Sequence, residues 1–113
     1  MNINSTVITA LTTLALPVAA NIYEGTASEY IVFDYLDERP NVYADDTDTH
    51  DITRIRVNYY TKGDTQTNKK AIRKLLRAAG FTIASNPPEY YETDTGYNHA
   101  IVEAWIESEI DDD

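Results

Sequence analysis

Val7, Ile8, Leu11 and Leu14 stand at i, i+1, i+4 and i+7, the spacing of one helical face, with Asn4 or Ser5 as a cap and Pro17 as a stop. After a Gly-Thr-Ala-Ser turn, EYIVFDYL (29–36) is dominated by β-branched and aromatic residues and predicts a strand. It is apolar on both faces for much of its length, as a central strand covered on both sides would be. DERPN breaks it. NVYA (41–44) and DITRIRVNYYT (51–61) then read as the arms of a hairpin with YADDTDTHD (43–51) at its tip. In the second arm Ile55, Val57 and Tyr59 share one face, and Arg54, Arg56 and Asn58 share the other, so one face packs and one stays polar.

TNKKAIRKLLRAAG (67–80) carries the strongest helical signal. Ala71, Ile72, Leu75, Leu76 and Ala79 form the apolar stripe, Thr67 offers a cap, and Gly80 suits the position past the end. Lys69, Lys70, Arg73, Lys74 and Arg77 fall on its outer face. FTIAS (81–85) predicts a short strand, NPPEYYETDTGYN (86–98) a loop with turns, and HAIVEAWIE (99–107) a last strand with Ala100, Val102, Ala104 and Ile106 on one face. The expected fold is α+β, a largely antiparallel sheet of about five strands with two helices, in the order α-β-β-β-α-β-β. Residues 1–113 read as one domain, with a frayed acidic tail over about 108–113.

Composition changes this picture mainly through charge. Nine basic and nineteen acidic residues leave a net charge of −10, which argues against nucleic-acid binding or an anionic membrane as the role of the whole domain. With no cysteine, disulfides and thiolate metal sites are excluded. The run VITALTTLALPVAA resembles a signal-peptide core, but the first basic residue is Arg39, so the reading favoured is an amphipathic helix. No apolar run reaches the roughly 18 residues of a membrane span. Nine tyrosines and one tryptophan suit either strands or protein contact surfaces.

Candidate chemistry is sparse. Asp46, Asp48 and His50 alternate like the first half of a calcium loop. Counting from Asp46, however, the required glycine and glutamate positions hold Asp51 and Val57, and the flanks read as strands. The aspartates suit a solvated turn instead. Neither His50 nor His99 lies in a nucleophile motif, and the four glycines are scattered singly. No catalytic residue, metal site or cofactor is expected, and no enzyme. The segregated cations of the second helix suit acidic surface on another subunit better than a solvated face, and better than nucleic acid.

Several segments taken together resemble the tail-completion and tail terminator proteins of long-tailed phages and prophages. They are LALPVAANIYEGTASEYIVFDYLDERPNVYADD, TRIRVNYYTKGD, KKAIRKLLRAAGFTI and YNHAIVEAWIE, which together span nearly the whole chain. The resemblance implies an α/β fold with helices on a sheet and a structural, non-enzymatic virion protein. It implies a homo-oligomeric ring, usually hexameric, that caps the tail tube and docks to the head–tail connector, with no catalytic residues. Other neck or head-completion proteins share the size and element order, and a monomeric binding module stays open. On charge grounds Arg54, Arg56, Arg73 and Arg77 are the expected contacts with a neighbouring subunit or partner. Asp45, Asp46, Asp48, His50 and Asp51 form the expected loop facing the tube or a lumen that passes DNA without binding it.

Overall fold

A computed structural model describes residues 2–40, 50–85 and 87–109. Helix α1 (Ile3–Leu11) is capped by Asn2, whose side-chain oxygen accepts the Ser5 N–H at 3.1 Å, so the cap lies before Asn4 and Ser5. Ile3, Val7 and Leu11 are its buried face. Ile8, expected in that stripe, is 40% exposed, because it sits one residue, about 100° of helical rotation, away from Val7. Leu14 belongs to a 3-10 turn (Thr12–Leu14) that ends on Ala15 in the left-handed region, φ 58°.

Strand β1 (Val18–Ala20) follows and runs parallel to residues 31–33 of β2 (Glu29–Pro40). Three residues are too few to show periodicity; the strand exists because its partner's backbone is there. The Pro17 carbonyl accepts the Ile31 N–H at 2.9 Å, and the Asn21 N–H donates to Phe33 O at 2.8 Å. DERP does not break β2, which continues to Pro40 after a register shift between Tyr35 and Asp37. Proline is tolerated there because β1 covers β2 only at residues 31–33, so among the described residues no outer neighbour needs its N–H.

Strand β3 (His50–Thr61) pairs antiparallel with β2 on one side and with β6 (Asn98–Glu109) on the other. Both its edges are filled along its length, so the hairpin partner of DITRIRVNYYT is EYIVFDYLDERP and not NVYA. Residues 41–44 lie outside the described residues. Helix α2 (Gln66–Ala78) starts one residue before Thr67. Thr65 is its N-cap residue, and the Asp64 carboxylate accepts the Gln66 N–H at 3.2 Å. At the other end the Gly80 N–H donates to Arg77 O and the Phe81 N–H to Leu76 O, a Schellman closure that needs Gly80 at φ 102°. Strands β4 (Thr82–Ser85) and β5 (Tyr90–Tyr91) pair along the outer edge of β6.

The fold is therefore α+β, a six-stranded and mostly antiparallel sheet in the order β1-β2-β3-β6-β4, with β5 also on β6 and two α-helices. The parallel pair is β1 with β2. Alternation along β3 decides the layering. Thr53, Ile55, Val57, Tyr59 and Thr61 are buried, while Arg54, Arg56, Asn58 and Tyr60 are half-buried. Ile55, Val57 and Tyr59 of that set join Phe33, Val102 and Ala104 of the adjacent strands and Val7, Leu11, Ile72 and Leu76 of the two helices in one apolar cluster. Both helices thus cover the same face of the sheet, and among the described residues the other face carries no helix. Strands of twelve residues give the molecule its long axis of 50 Å against 26 and 24 Å.

Candidate functional site

The helix-free face is organised in bands across the strands, because residues in register stand side by side. At one end Tyr30 pairs with Tyr60, Tyr60 with His99, and His99 with Tyr90. Their rings form a belt across the sheet. Centroids are 4.4 Å apart from Tyr23 to Tyr30, 4.8 Å from Tyr30 to Tyr60 and 4.2 Å from Tyr60 to His99, all stacked, with Tyr90 tilted at 5.9 Å from His99. Tyr97 stands edge-on to Tyr30 and Tyr60, and the Lys62 ammonium lies 5.0 Å from the centre of its ring. The loop brings Tyr23 in because its hydroxyl accepts the Ala27 N–H at 3.0 Å. A Cβ on Gly25 would come 2.1 Å from that hydroxyl, so only glycine allows the closure. Burial first, then neighbouring tyrosine and Glu92 charges, pushes the Tyr30 and Tyr60 hydroxyls above their usual range.

A polar band lies next to the belt. The Asn58 amide nitrogen donates to Val32 O at 3.1 Å, which leaves its oxygen to accept from His99 Nε2 at 2.9 Å. Neutral His99 therefore carries its proton on Nε2, and Nδ1 faces the Glu92 carboxylate at 3.7 Å. Burial pulls the His99 pKa below its ordinary value; Glu92 opposes that and Arg56 adds to it. The unfolded chain takes up the proton first as pH falls below about 6.5, so His99 costs stability from there down to its folded pKa. His99→Gln should flatten the fall in melting temperature between about pH 7 and pH 5, above the range of ordinary carboxylates. An unchanged slope would show that Glu92 compensates fully.

Further along the same face Arg56 donates through Nε and Nη2 to one Glu103 oxygen, at 3.2 and 3.0 Å, and the Ser85 hydroxyl donates to the other at 2.9 Å. Burial raises the Glu103 pKa, but Ser85, Arg56 and Arg54 together outweigh it and hold the carboxyl below its usual range. Arg54 follows one band on, in register with Asp37 and Trp105.

The four arginines expected to contact a neighbouring subunit or partner fall on two sides of the sheet. Arg54 and Arg56 lie on the helix-free face, and Arg56 is paired within its own chain. Arg73 and Arg77 lie on α2, which packs against the opposite face. Lys69, expected on the outer face of α2, is 8% exposed and reaches Glu89 at 3.4 Å. Glu89 also accepts from the Thr65 hydroxyl at 2.6 Å and from Gln66 at 3.0 Å, which ties the loop before β5 to the start of α2. Of the acidic tip, His50 and Asp51 begin β3. Asp45, Asp46 and Asp48 lie outside the described residues, as do positions 110–113 of the acidic tail, whereas Ser108 and Glu109 complete β6. Among the described residues no three histidine or acidic side chains are placed to hold a metal ion, and no helix is long and apolar enough to cross a membrane.

The sequence reading missed the aromatic belt and the Ser85–Glu103–Arg56 group. Both depend on strand register, and positions 30, 60 and 99 align only once β3 is placed between β2 and β6. No family model matches the chain, and no curated protein matches it in sequence. Among solved structures the fold is similar to a sheath/tube terminator, in its extended state, of an extracellular contractile injection system, with a TM-score of 0.48 and 9% identity. That match covers 97% of this chain and 56% of the other, so the chain spans little more than half the length of that protein.

Proposed function

We propose that this chain is a structural, non-enzymatic virion protein, a tail terminator that forms a ring, most simply a hexamer, on the finished tail tube and joins it to the head connector. The reading rests on the sequence resemblance. The observation that supports it is a sheet whose described helices both lie on one face, while its other face carries a five-ring belt with Tyr90 exposed at one end. Aromatic residues of that kind are enriched where proteins meet. A closed ring needs two different surfaces on each subunit. Arg54 and Arg56 on one side of the sheet and Arg73 and Arg77 on the other would serve two such surfaces. Asp45, Asp46, Asp48, His50 and Asp51 would face the tube or its lumen, where like charge keeps passing DNA from sticking.

Light scattering on the purified chain, alone and with the tail tube protein, tests this. The expected result is a discrete ring that binds tube ends. Neutralising the aspartates at 45, 46 and 48 should weaken docking to the tube and leave the ring intact. A monomer that ignores tubes would instead assign the chain to the binding modules.

A further inference from the structure

The two longest runs without an aspartate, glutamate, lysine or arginine are residues 1–23 and 78–88, so all nineteen acidic and nine basic residues lie outside them. The first run supplies α1 and β1, and the second supplies β4. Among the described residues β1 and β4 are the outermost strands, on opposite sides of the sheet. Edge strands are ordinarily guarded by charged side chains, lysine above all, or covered by another element. Here neither edge strand carries a charge, in a chain whose net charge of −10 would keep copies apart.

Exposed apolar surface follows the same two edges. Among the described residues the large exposed hydrophobic side chains are Ile8, Ile22, Tyr35, Tyr90 and Tyr91. Ile22 lies two residues past the end of β1. Tyr35 stands on β2 two residues past Phe33, where β1 stops covering it, and its hydroxyl donates to Asn4 Oδ1 at 2.9 Å. Ile8 is one turn further along α1 from Asn4. A notch of about 160 Å³ opens beside them, lined by Asn4, Ala20, Asn21, Phe33, Asp34 and Tyr35. A cavity of about 150 Å³ holds one benzene ring. Rings of that size stand at the opposite edge, where Tyr90 and Tyr91 form β5 and prolong the line of β4 along β6.

We infer that the β1 edge of one copy docks against the β4–β5 edge of the next, so that the sheets of neighbouring copies meet side by side. Copies that repel through most of their surface meet where neither edge strand brings a charge. The two edges differ, so the contact is head-to-tail, the kind from which a ring closes. The inference rests on the self-assembly part of the proposed function. It assigns the contact between copies to the sheet edges and leaves the arginines of the two faces to other partners.

Two variants of the full chain test it, Ile8→Lys with Ile22→Lys on one edge and Ala84→Lys with Tyr91→Lys on the other. All four positions are exposed, so each variant should keep the circular dichroism and melting temperature of the wild type. The added lysines reduce the net negative charge, so lost association cannot come from greater repulsion between whole copies. Each variant alone should associate at least about tenfold more weakly by light scattering, because its lysines would be buried unpaired at the contact. Mixed, the two should form one-to-one pairs and nothing larger, since each pair joins the intact edge of one variant to the intact edge of the other. Wild-type association should strengthen as salt screens the repulsion between copies. An oligomeric wild type with either variant undiminished overturns the contact and leaves ring formation standing. So does a mixture that stays monomeric or builds full-size oligomers, and so does a wild-type oligomer that salt dissociates. A monomeric wild type at all concentrations overturns self-assembly itself, and the contact with it.

Discussion

Leu76→Ala should lower the melting temperature by on the order of 10–20 °C, and Leu75→Ala by roughly half as much or less. Both leucines belong to the apolar stripe of α2, but the stripe has a centre. Leu76 is 0% exposed in the core cluster beside Ile72, whereas Leu75 is only partly buried at its margin. Truncating a fully buried leucine costs about 2–5 kcal/mol, a large part of the roughly 5–15 kcal/mol that holds a small domain together. Leu76 also supplies the carbonyl that accepts the Phe81 N–H in the closure of the helix. Its side chain is therefore held by a backbone that does not move in to fill the gap. Thermal melts of the two variants side by side give the answer, and equal losses would place the buried axis of α2 midway between them.

The contrast between these leucines marks how far the sequence carries. Periodicity located both helices, the long strands and the buried sides of β3 and β6, because each stretch is long enough for its apolar positions to repeat. Where the signal was local chemistry, assignments slipped by a residue or two. Asn2 rather than Asn4 caps α1, and Thr65 rather than Thr67 precedes α2. What the sequence hid was set by pairing. β1 exists because residues 31–33 offer it an edge. Pro40 remains in a strand because, among the described residues, β2 has no outer neighbour there. Lys69 turns inward because Glu89, twenty residues on, meets it there. The belt and the Arg56–Glu103 pair arise the same way, between residues that only the sheet brings together.

Phe33→Ala should be the more damaging of the two core substitutions, at about 3–5 kcal/mol, and its effect should be local before it is global. Phe33 is 1% exposed on β2, in register with Ala20 of β1 on one side and Val57 of β3 on the other. Neither neighbour can close on the space the ring leaves, because both are held by backbone hydrogen bonds to β2 itself. The same cluster includes Val7 and Leu11 of α1, a helix of nine residues. An isolated helix shorter than about 12 residues is marginal in water, so α1 depends on this packing to exist. The Asn21 N–H bond to Phe33 O also closes the end of β1, so the helix and the strand share one support. Hydrogen exchange should therefore show α1 and β1 losing protection well before β3 and β6, whose ladder to each other does not involve Phe33. Phe33→Leu, which keeps most of the volume, should retain most of that protection. If the amides of α1 and β1 in Phe33→Ala exchange no faster than in the wild type, the amino-terminal unit is anchored by α2 and not by the sheet.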